Sequence, residues 1–214
     1  MDRNAPEKIW TYDDLPDTGD GRRFEILDGA LYVSPSPSAW HQEILKRLFR
    51  IIDRELEGKG IAKVFFAPLD VILSPTRVVV PDLFVVRMER MSILEQRGAI
   101  EAPDLVVEVL SPSNIHHDRV RKRRFYARNK VREYWIVDPA AEAIEVLTLI
   151  EGGLSYQQAG WFAAGDRVAS ATFDLEFDVD PIFAKDDGPK PVLRATKPRQ
   201  PRAKRPRRAP KRRA

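Results

Sequence analysis

Apolar and polar residues follow two distinct patterns in the first part of the chain. The segment FEILDGALYV places two β-prone runs on either side of Asp28 and Gly29, which predicts a β-hairpin. After a Pro/Ser loop, apolar residues recur at three- and four-residue spacing from Ile44 to Leu56. This spacing predicts an amphipathic helix that ends at the glycines following it.

The rest of the chain carries apolar, β-branched runs separated by short polar segments. Strands are predicted at VFFAPLDVIL, RVVVPDLFVV, DLVVEVL, EYWIVD, AIEVLTLI and LSYQQA, with a last strand on which Phe173, Leu175, Phe177 and Val179 alternate. Further helices are predicted at about 88–96 and 118–129. We therefore expect an α/β (α+β) fold, with a central mixed β-sheet flanked by helices.

Composition limits the chemistry that is available. The 214 residues are 43% hydrophobic, enough for one core, and include three histidines and no cysteine. Disulfides, thiolate zinc sites and cysteine nucleophiles are therefore excluded, and any metal would be held mainly by oxygen. No apolar run reaches the roughly 18 residues of a membrane-spanning helix, and the N-terminus lacks the apolar region of a secretory signal. We expect a soluble, cytoplasmic protein with no membrane partner.

Charge is distributed unevenly along the chain. The whole sequence has 36 basic and 32 acidic residues, but residues 188–214 contain twelve Lys or Arg and no Asp or Glu. Residues 1–187 therefore hold 24 basic against 32 acidic residues. A nonspecific attraction to nucleic acid is thus confined to one end of the molecule.

The C-terminal segment has too few apolar groups to offset the entropy lost on folding. We therefore expect a folded domain at 1–184 and a disordered Lys/Arg/Pro/Ala-rich tail at 185–214. Such a tail could bind DNA, and RNA, acidic proteins or the acidic body of the chain are alternative partners. The candidate DNA-binding cations within it include Lys204, Arg205, Arg207 and Arg208.

Two acids interrupt strands that are otherwise apolar. Asp82 lies in VVVPDLFVV and Glu108 in DLVVEVL, and both runs are apolar on both faces, as in strands covered on both sides. Burying an unpaired carboxylate is costly, so each acid must be neutralised, paired or bound to a cation. Either acid alone is more often paired with an arginine or a loop, but two on central strands suggest a shared Mg²⁺ or Mn²⁺.

The helix predicted after Glu108 is basic on one side. Asp118, Lys122 and Tyr126 are spaced i, i+4, i+8 and lie together, with Asp118 as an N-cap or as a partner of Lys122. The remaining cations could bind a phosphate backbone, or they could form a solvated face that balances the acidic body. These cations include Arg119, Arg121, Arg123 and Arg124.

In this order and spacing, the segments resemble the Uma-type restriction endonuclease family, a branch of the PD-(D/E)xK nuclease superfamily. The resemblance covers about 24–138 and rests on FEILDG, SPSPSAWHQEI, VVVPDLFVV, APDLVVEVLSPS, EYWIVDP and the helix that carries Lys122. It implies a restriction endonuclease-like core and Mg²⁺-dependent hydrolysis of phosphodiester bonds in DNA.

The resemblance also implies roles for individual residues. Asp82 matches the acid of the first half-motif and Glu108 the acid of the second. The superfamily pattern places a lysine two residues after Glu108, where this chain has Leu110, so Lys122 on the following helix is its counterpart. Glu25 of FEILDG resembles an additional acid that such nucleases supply from an earlier element, although an acid in a hairpin, taken alone, is more often solvent-facing.

These roles predict a mechanism. Asp82, Glu108 and the backbone carbonyl of Val109 would hold a divalent ion that activates water, and Lys122 would orient the water or stabilise the transition state. His41, at a helix start, could contact phosphate, although a lone histidine there is more often packed or capping.

Two other classes of protein stay open at this point. A DNA-binding protein with an inactive nuclease fold would rely on its basic tail and cut nothing. An acid/base enzyme such as a glycosidase would use Asp82 and Glu108 without a metal and would be insensitive to chelators. If the chain does cut both DNA strands, one active site per chain would favour a homodimer.

Overall fold

The computed structural model describes residues 8–16, 22–34, 36–111 and 117–185. The side chains of His117 and Asp118 lie outside this description, as do residues 186–214. The predicted domain boundary, the tail and its four named cations therefore stay predictions. None of the helices within the described ranges is long and apolar enough to cross a bilayer.

The strands follow the β-branched and aromatic runs of the sequence. They are β1 (Arg23–Leu27), β2 (Ala30–Ser34), β3 (Ala62–Phe66), β4 (Val71–Ser74), β5 (Arg77–Val79), β6 (Leu83–Arg87), β7 (Leu94–Glu95), β8 (Gly98–Ala99), β9 (Leu105–Val109), β10 (Glu133–Asp138), β11 (Ala143–Leu149), β12 (Tyr156–Phe162), β13 (Arg167–Ala169) and β14 (Glu176–Asp178).

The helices are α1 (Ala39–Ile52), α2 (Arg123–Arg128) and α3 (Asp180–Phe183). Ser38 caps α1, because its side chain accepts a hydrogen bond from the backbone N–H of His41. A π-helical turn at Asp53–Glu57 extends α1, and another at His117–Lys122 leads into α2. Short 3₁₀ turns lie at Tyr12–Asp14 and Met88–Ile93.

A mixed sheet forms the centre of the described part of the chain, with strand order β12-β11-β10-β9-β6-β3. Strands β9 and β10 are parallel, and the other neighbours are antiparallel. A second sheet has the order β2-β1-β5-β4-β8-β7, and β13 pairs with β14. The predicted fold class is confirmed, and the second sheet is an addition to it.

The two faces of the central sheet bury different layers. On one face, α1 packs through side chains such as Ile44 and Leu48 against Leu83 and Val107. On the other face, α2 and the second sheet cover a layer that includes Phe84 and Val106. Complete burial of one such aliphatic or aromatic side chain stabilises the fold by about 1.5–3 kcal/mol. Asp82 and Glu108 occur where this second layer meets the end of the sheet.

Most predicted elements occur close to their predicted positions. The hairpin turns at Asp28 and Gly29, both with positive φ, and the helix from Ile44 ends at Gly58 after its π-helical turn. The strands predicted at VFFAPLDVIL and RVVVPDLFVV are each divided between the two sheets, as β3 and β4 and as β5 and β6. Two further elements are shorter than expected. The helix predicted at 88–96 is a 3₁₀ turn that gives way to β7, and the last strand is limited to β14 before α3 begins. Tertiary packing explains where these two elements end, because Ile93 is buried in one core layer and Val179 in the other.

Candidate active site

Asp82 precedes β6 directly, and its carboxylate is surrounded by donors. Its Oδ2 accepts hydrogen bonds from the backbone N–H of Val109 at 2.9 Å and from Nε2 of His41 at 3.0 Å. Its Oδ1 accepts a hydrogen bond from Nη1 of Arg23 at 2.7 Å. The buried acid is therefore held by three different elements: β1, the first turn of α1 and the end of β9.

These donors determine the protonation state of Asp82. Burial alone would raise the pKa of its carboxyl group, because the charged form loses water. The hydrogen bonds from His41, Arg23 and Val109, together with electrostatic attraction to the His41 ring, outweigh burial and lower the pKa to about 2. Asp82 is thus a carboxylate at neutral pH.

Glu108 lies in β9 and meets Lys122 and Tyr126 from the helical segment. Its Oε1 accepts hydrogen bonds from Nζ of Lys122 at 2.9 Å and from the hydroxyl of Tyr126 at 2.7 Å. The two donors are one helical turn apart, as their i, i+4 spacing predicts. Burial raises the pKa of Tyr126 well above its ordinary value, and the charges of Glu108 and Glu25 raise it further, so the phenol stays a proton donor.

Glu25 reaches the same place from β1. Nζ of Lys122 lies 2.9 Å from its Oε1, the same distance as from Oε1 of Glu108. The backbone N–H of Val80 also donates to Oε1 of Glu25, at 3.0 Å. Glu25 is only 1% exposed, so it faces the interior and not the solvent. One buried ammonium group therefore joins two carboxylates that are far apart in sequence.

The register of the central sheet brings Asp82 next to this group. Leu83 pairs with Val107 across β6 and β9, so the residue before Leu83 lies beside Glu108. Glu25, Asp82, Glu108 and Lys122 thus occupy one end of the sheet, where the sequence reasoning placed its candidates. Val109 contributes its N–H to Asp82, whereas the use of its carbonyl as a ligand stays a prediction.

The donor set can be tested against a divalent metal ion. Three carboxylates face two basic side chains, Arg23 and Lys122, and carboxylate oxygens are the ligands that Mg²⁺ and Mn²⁺ prefer. Within the described ranges, no three acids or histidines converge as a ready-made metal shell. The carboxylate oxygens suit a hard divalent ion in chemical type and in their negative charge. The basic groups of Arg23 and Lys122 lie among these oxygens.

Sequence reasoning missed Arg23 and assigned His41 a different contact. Arg23 and Glu25 alternate on β1 and therefore share a face, so the position two residues before Glu25 carried the signal. His41 had been considered for phosphate binding or packing, and its ring instead contacts Asp82. The role predicted for the Asp118 side chain lies outside the described residues.

The arginines of the basic helix divide into two groups. Arg119 and Arg123 pair with acids of the body, because Arg119 lies 2.8 Å from Asp138 and 3.0 Å from Glu145, and Arg123 lies 3.7 Å from Glu145. Arg121 and Arg124 are exposed. The acids therefore neutralise part of the predicted phosphate-binding face.

A cleft of about 350 Å³ runs along α2. Three of the four arginines line it, opposite Leu154 and Tyr156. Positive charge beside apolar surface is compatible with a nucleic-acid strand. The hydroxyl of Tyr156 is not available to such a strand, because it donates a hydrogen bond to the carbonyl of Val131 at 2.8 Å.

Comparison with known proteins agrees with the geometry. A family model described as "Uma2: Putative restriction endonuclease" matches residues 10–180. An uncharacterized protein of Synechocystis sp., slr1290, is 31% identical over 167 residues, which are 75% of this chain and 83% of that protein.

A solved structure shares the fold. A crystal structure from Anabaena variabilis, described as a putative nuclease belonging to DUF820, superimposes with a TM-score of 0.67 at 21% identity. The match covers 81% of this chain and 97% of that one. The family model spans most of the present chain, including both strands that carry the central acids and the helix that carries Lys122. The chain belongs to the Uma2 family.

Proposed function

We propose that this protein is a metal-dependent endonuclease that hydrolyses phosphodiester bonds in DNA. The observation that carries the proposal is the convergence of Glu25 and Glu108 on Lys122, beside the carboxylate of Asp82. A cluster of buried acids around a lysine is what phosphoryl-transfer chemistry requires, since the reaction needs both a bound cation and a fixed positive charge. Membership of the Uma2 family supports a nuclease.

Mg²⁺ or Mn²⁺ would be held by Asp82 and Glu108, with Glu25 as a further ligand. The ion would supply positive charge against the phosphate and activate water for attack. The protein's own contribution is to hold these acids in place with hydrogen bonds. The N–H of Val109 fixes Asp82, and the hydroxyl of Tyr126 fixes Glu108.

Lys122 would act on the phosphate directly. Lys122 is only 5% exposed, so a positive charge on its ammonium group would lie in a region of low dielectric constant. Such a charge stabilises the additional negative charge that develops on a phosphate during attack, or it orients the attacking water. Its present bonds to two carboxylates keep it in position for that role.

The substrate would reach the site past the basic helix. Arg124 is exposed and available for phosphates. Arg121 is also exposed but donates a hydrogen bond to the hydroxyl of Tyr32, and Arg119 and Arg123 would first have to leave Glu145. We also propose a cytoplasmic location and, if both strands are cut, a homodimer.

Plasmid nicking in Mg²⁺ tests the proposal. The full chain should convert supercoiled DNA to open circles, and EDTA should stop it. Asp82→Ala and Lys122→Ala should each be inactive, while Lys63→Ala, which removes a surface lysine paired with Glu57, should cut normally. Activity that survives EDTA would point to metal-free acid/base chemistry instead.

One observation favours a second candidate, a DNA-binding protein of nuclease fold that does not cut. Every acid of the site already has a basic partner within the described residues. In that case the tail would supply most of the affinity. If all twelve tail cations engaged phosphate, log K would fall against log salt with a slope of about −11.

Deleting residues 188–214 separates the two candidates. For the endonuclease, the deletion should flatten the salt dependence of DNA binding and leave nicking at low salt intact. For the non-cutting candidate, the full chain should bind DNA and nick no substrate at any salt concentration. An unchanged salt slope would assign the tail to another partner.

A further inference from the structure

We propose that the guanidinium group of Arg23 switches from Asp82 to a substrate phosphate when DNA binds. This switch makes Asp82 available to the metal ion. Before DNA binds, Arg23 occupies Oδ1 of Asp82. When a phosphate arrives, the guanidinium turns to it, and Oδ1 becomes available to a divalent ion. This inference rests on the proposed endonuclease function and adds an order of events to it.

The two oxygens of Asp82 are held in unequal ways. Oδ2 accepts from the N–H of Val109 and from His41, and both donors are buried. Oδ1 accepts only from Arg23 among the described residues. Releasing Oδ1 therefore breaks one hydrogen bond and leaves the carboxylate anchored by a backbone group. The oxygen that can bind an ion is the one that Arg23 covers.

Arg23 is better suited to move than the other cation of the site. The Lys122 side chain is 6% exposed and its Nζ contacts two carboxylates, whereas that of Arg23 is 18% exposed and contacts one. If Lys122 moved, it would break its contacts with two buried acids, which is costly. If Arg23 moved, it would uncover only Oδ1 of Asp82, and the incoming ion would then bind this oxygen.

The chemistry of arginine supports the exchange. Only Nη1 of Arg23 donates to an acceptor in the described part of the chain, so its other N–H groups remain for a ligand. A guanidinium group forms two parallel hydrogen bonds with a phosphate, a better match than its single bond to Asp82. The preferred ligand of Arg23 is therefore an oxyanion such as a DNA phosphate.

The exchange makes two binding events depend on each other. A phosphate that draws Arg23 away raises the affinity for the ion, and the ion on Asp82 raises the affinity for the phosphate by the same factor. A chain without Arg23 should hold the ion more tightly in the absence of DNA. It should also gain less metal affinity when DNA is added.

Calorimetric titration with Mn²⁺ tests this order of events. The full chain and Arg23→Gln are each titrated alone and with a duplex whose phosphorothioate linkages resist hydrolysis. Without DNA, Arg23→Gln should bind Mn²⁺ about tenfold more tightly than the unaltered chain, and the gain on adding DNA should shrink by a similar factor. Arg77→Gln, which breaks an Arg–Asp pair outside the site, should behave like the unaltered chain.

Each other outcome has a distinct meaning. Equal Mn²⁺ affinity in Arg23→Gln and the unaltered chain overturns the exchange and leaves the endonuclease proposal standing. Weaker Mn²⁺ binding together with a lower melting temperature assigns Arg23 a purely structural role and also overturns the exchange. If neither protein binds Mn²⁺ with or without DNA, the metal-dependent function itself fails.

Discussion

Glu108 and Glu133 are buried glutamates on neighbouring parallel strands, yet their surroundings differ in kind. Glu108 lies near the end of β9 with Lys122 and, through it, Glu25. Glu133 begins β10, paired with Leu105 at the other end of the same ladder. Among the described residues, each hydrogen bond that its carboxylate accepts comes from a neutral group.

The donors of Glu133 belong to one loop and one neighbouring side chain. Nε1 of Trp135 donates at 2.6 Å, the N–H of Ala171 at 2.9 Å and the hydroxyl of Ser170 at 2.8 Å, and both the N–H and the hydroxyl of Thr172 donate as well. A carboxylate saturated by its own fold has nothing left for a substrate. It fixes the 170–172 loop onto the sheet.

The difference shows which buried acid indicates a function. A carboxylate whose bonds are complete with neutral donors stabilises the fold. A carboxylate that shares a cation with a second carboxylate forms a site of concentrated charge, which costs free energy to assemble and is useful to a charged substrate.

The largest effect is expected at Glu108. Glu108→Gln removes a charge that would hold the ion, and several kcal/mol of transition-state stabilisation should disappear with it. At about 1.4 kcal/mol per tenfold, the nicking rate should fall about a thousandfold. Glutamine still accepts a hydrogen bond from Tyr126, and Lys122 keeps its contact with Glu25, so the variant should remain folded.

Glu133→Gln is the matched control for that experiment. It makes the same chemical change on the next strand and should leave the nicking rate per folded molecule unaltered. Equal losses of activity in the two variants would mean that the comparison between the two glutamates is wrong.

The next largest effect is on stability. Glu133→Ala leaves the indole N–H of Trp135 and the donors of the 170–172 loop without an acceptor, and each buried group left so costs about 1–3 kcal/mol. Since part of the loop can turn to water, we expect the free energy of unfolding to fall by about 3 kcal/mol. Urea denaturation would measure it, and a change under about 0.5 kcal/mol would remove the structural role.

The sequence predicted which elements carry the site residues better than it predicted the contacts of those residues. Alternation and half-motifs placed Glu108 correctly on a central strand and Asp82 one residue before its neighbour β6, and helical spacing placed Lys122 and Tyr126 on one side of a helix. Those are local patterns with fixed periods. Glu133 had no such signal, because its loop partners lie 37 to 39 residues away in a segment without a periodic pattern.

Acid should weaken the site in a defined pH range. The pKa of Asp82 is lowered from 3.8 to about 2, so its charged form stabilises the folded protein fully above about pH 4. This contribution, about 2 kcal/mol, should be lost as the pH falls from about 4 towards 2. Urea unfolding of the unaltered chain and Asp82→Asn over this range would measure it, and parallel curves would contradict it.

The contacts that keep Asp82 ionised could not be predicted from the sequence, because its partners come from distant elements. Arg23 lies 59 residues before it and His41 lies 41 residues before it, and nothing in the local sequence joins them. The second sheet, which contains β1, decides the contact with Arg23, and the packing of α1 decides the contact with His41. A pattern of strands predicts which residues are buried, but the pairing of sheets decides what they meet.

The smallest effect should come from an exposed copy of the same ion pair. Nε of Arg77 lies 2.7 Å from Oδ1 of Asp28, the same distance as in the Arg23 and Asp82 pair, but both side chains are about half exposed. Water and salt screen such a pair, so Arg77→Gln should change the free energy of unfolding by less than about 1 kcal/mol, and by less still at high salt. Thermal unfolding at low and high salt would measure this. A loss as large as that of Asp82→Asn would show that distance alone, and not burial, sets the strength of these pairs.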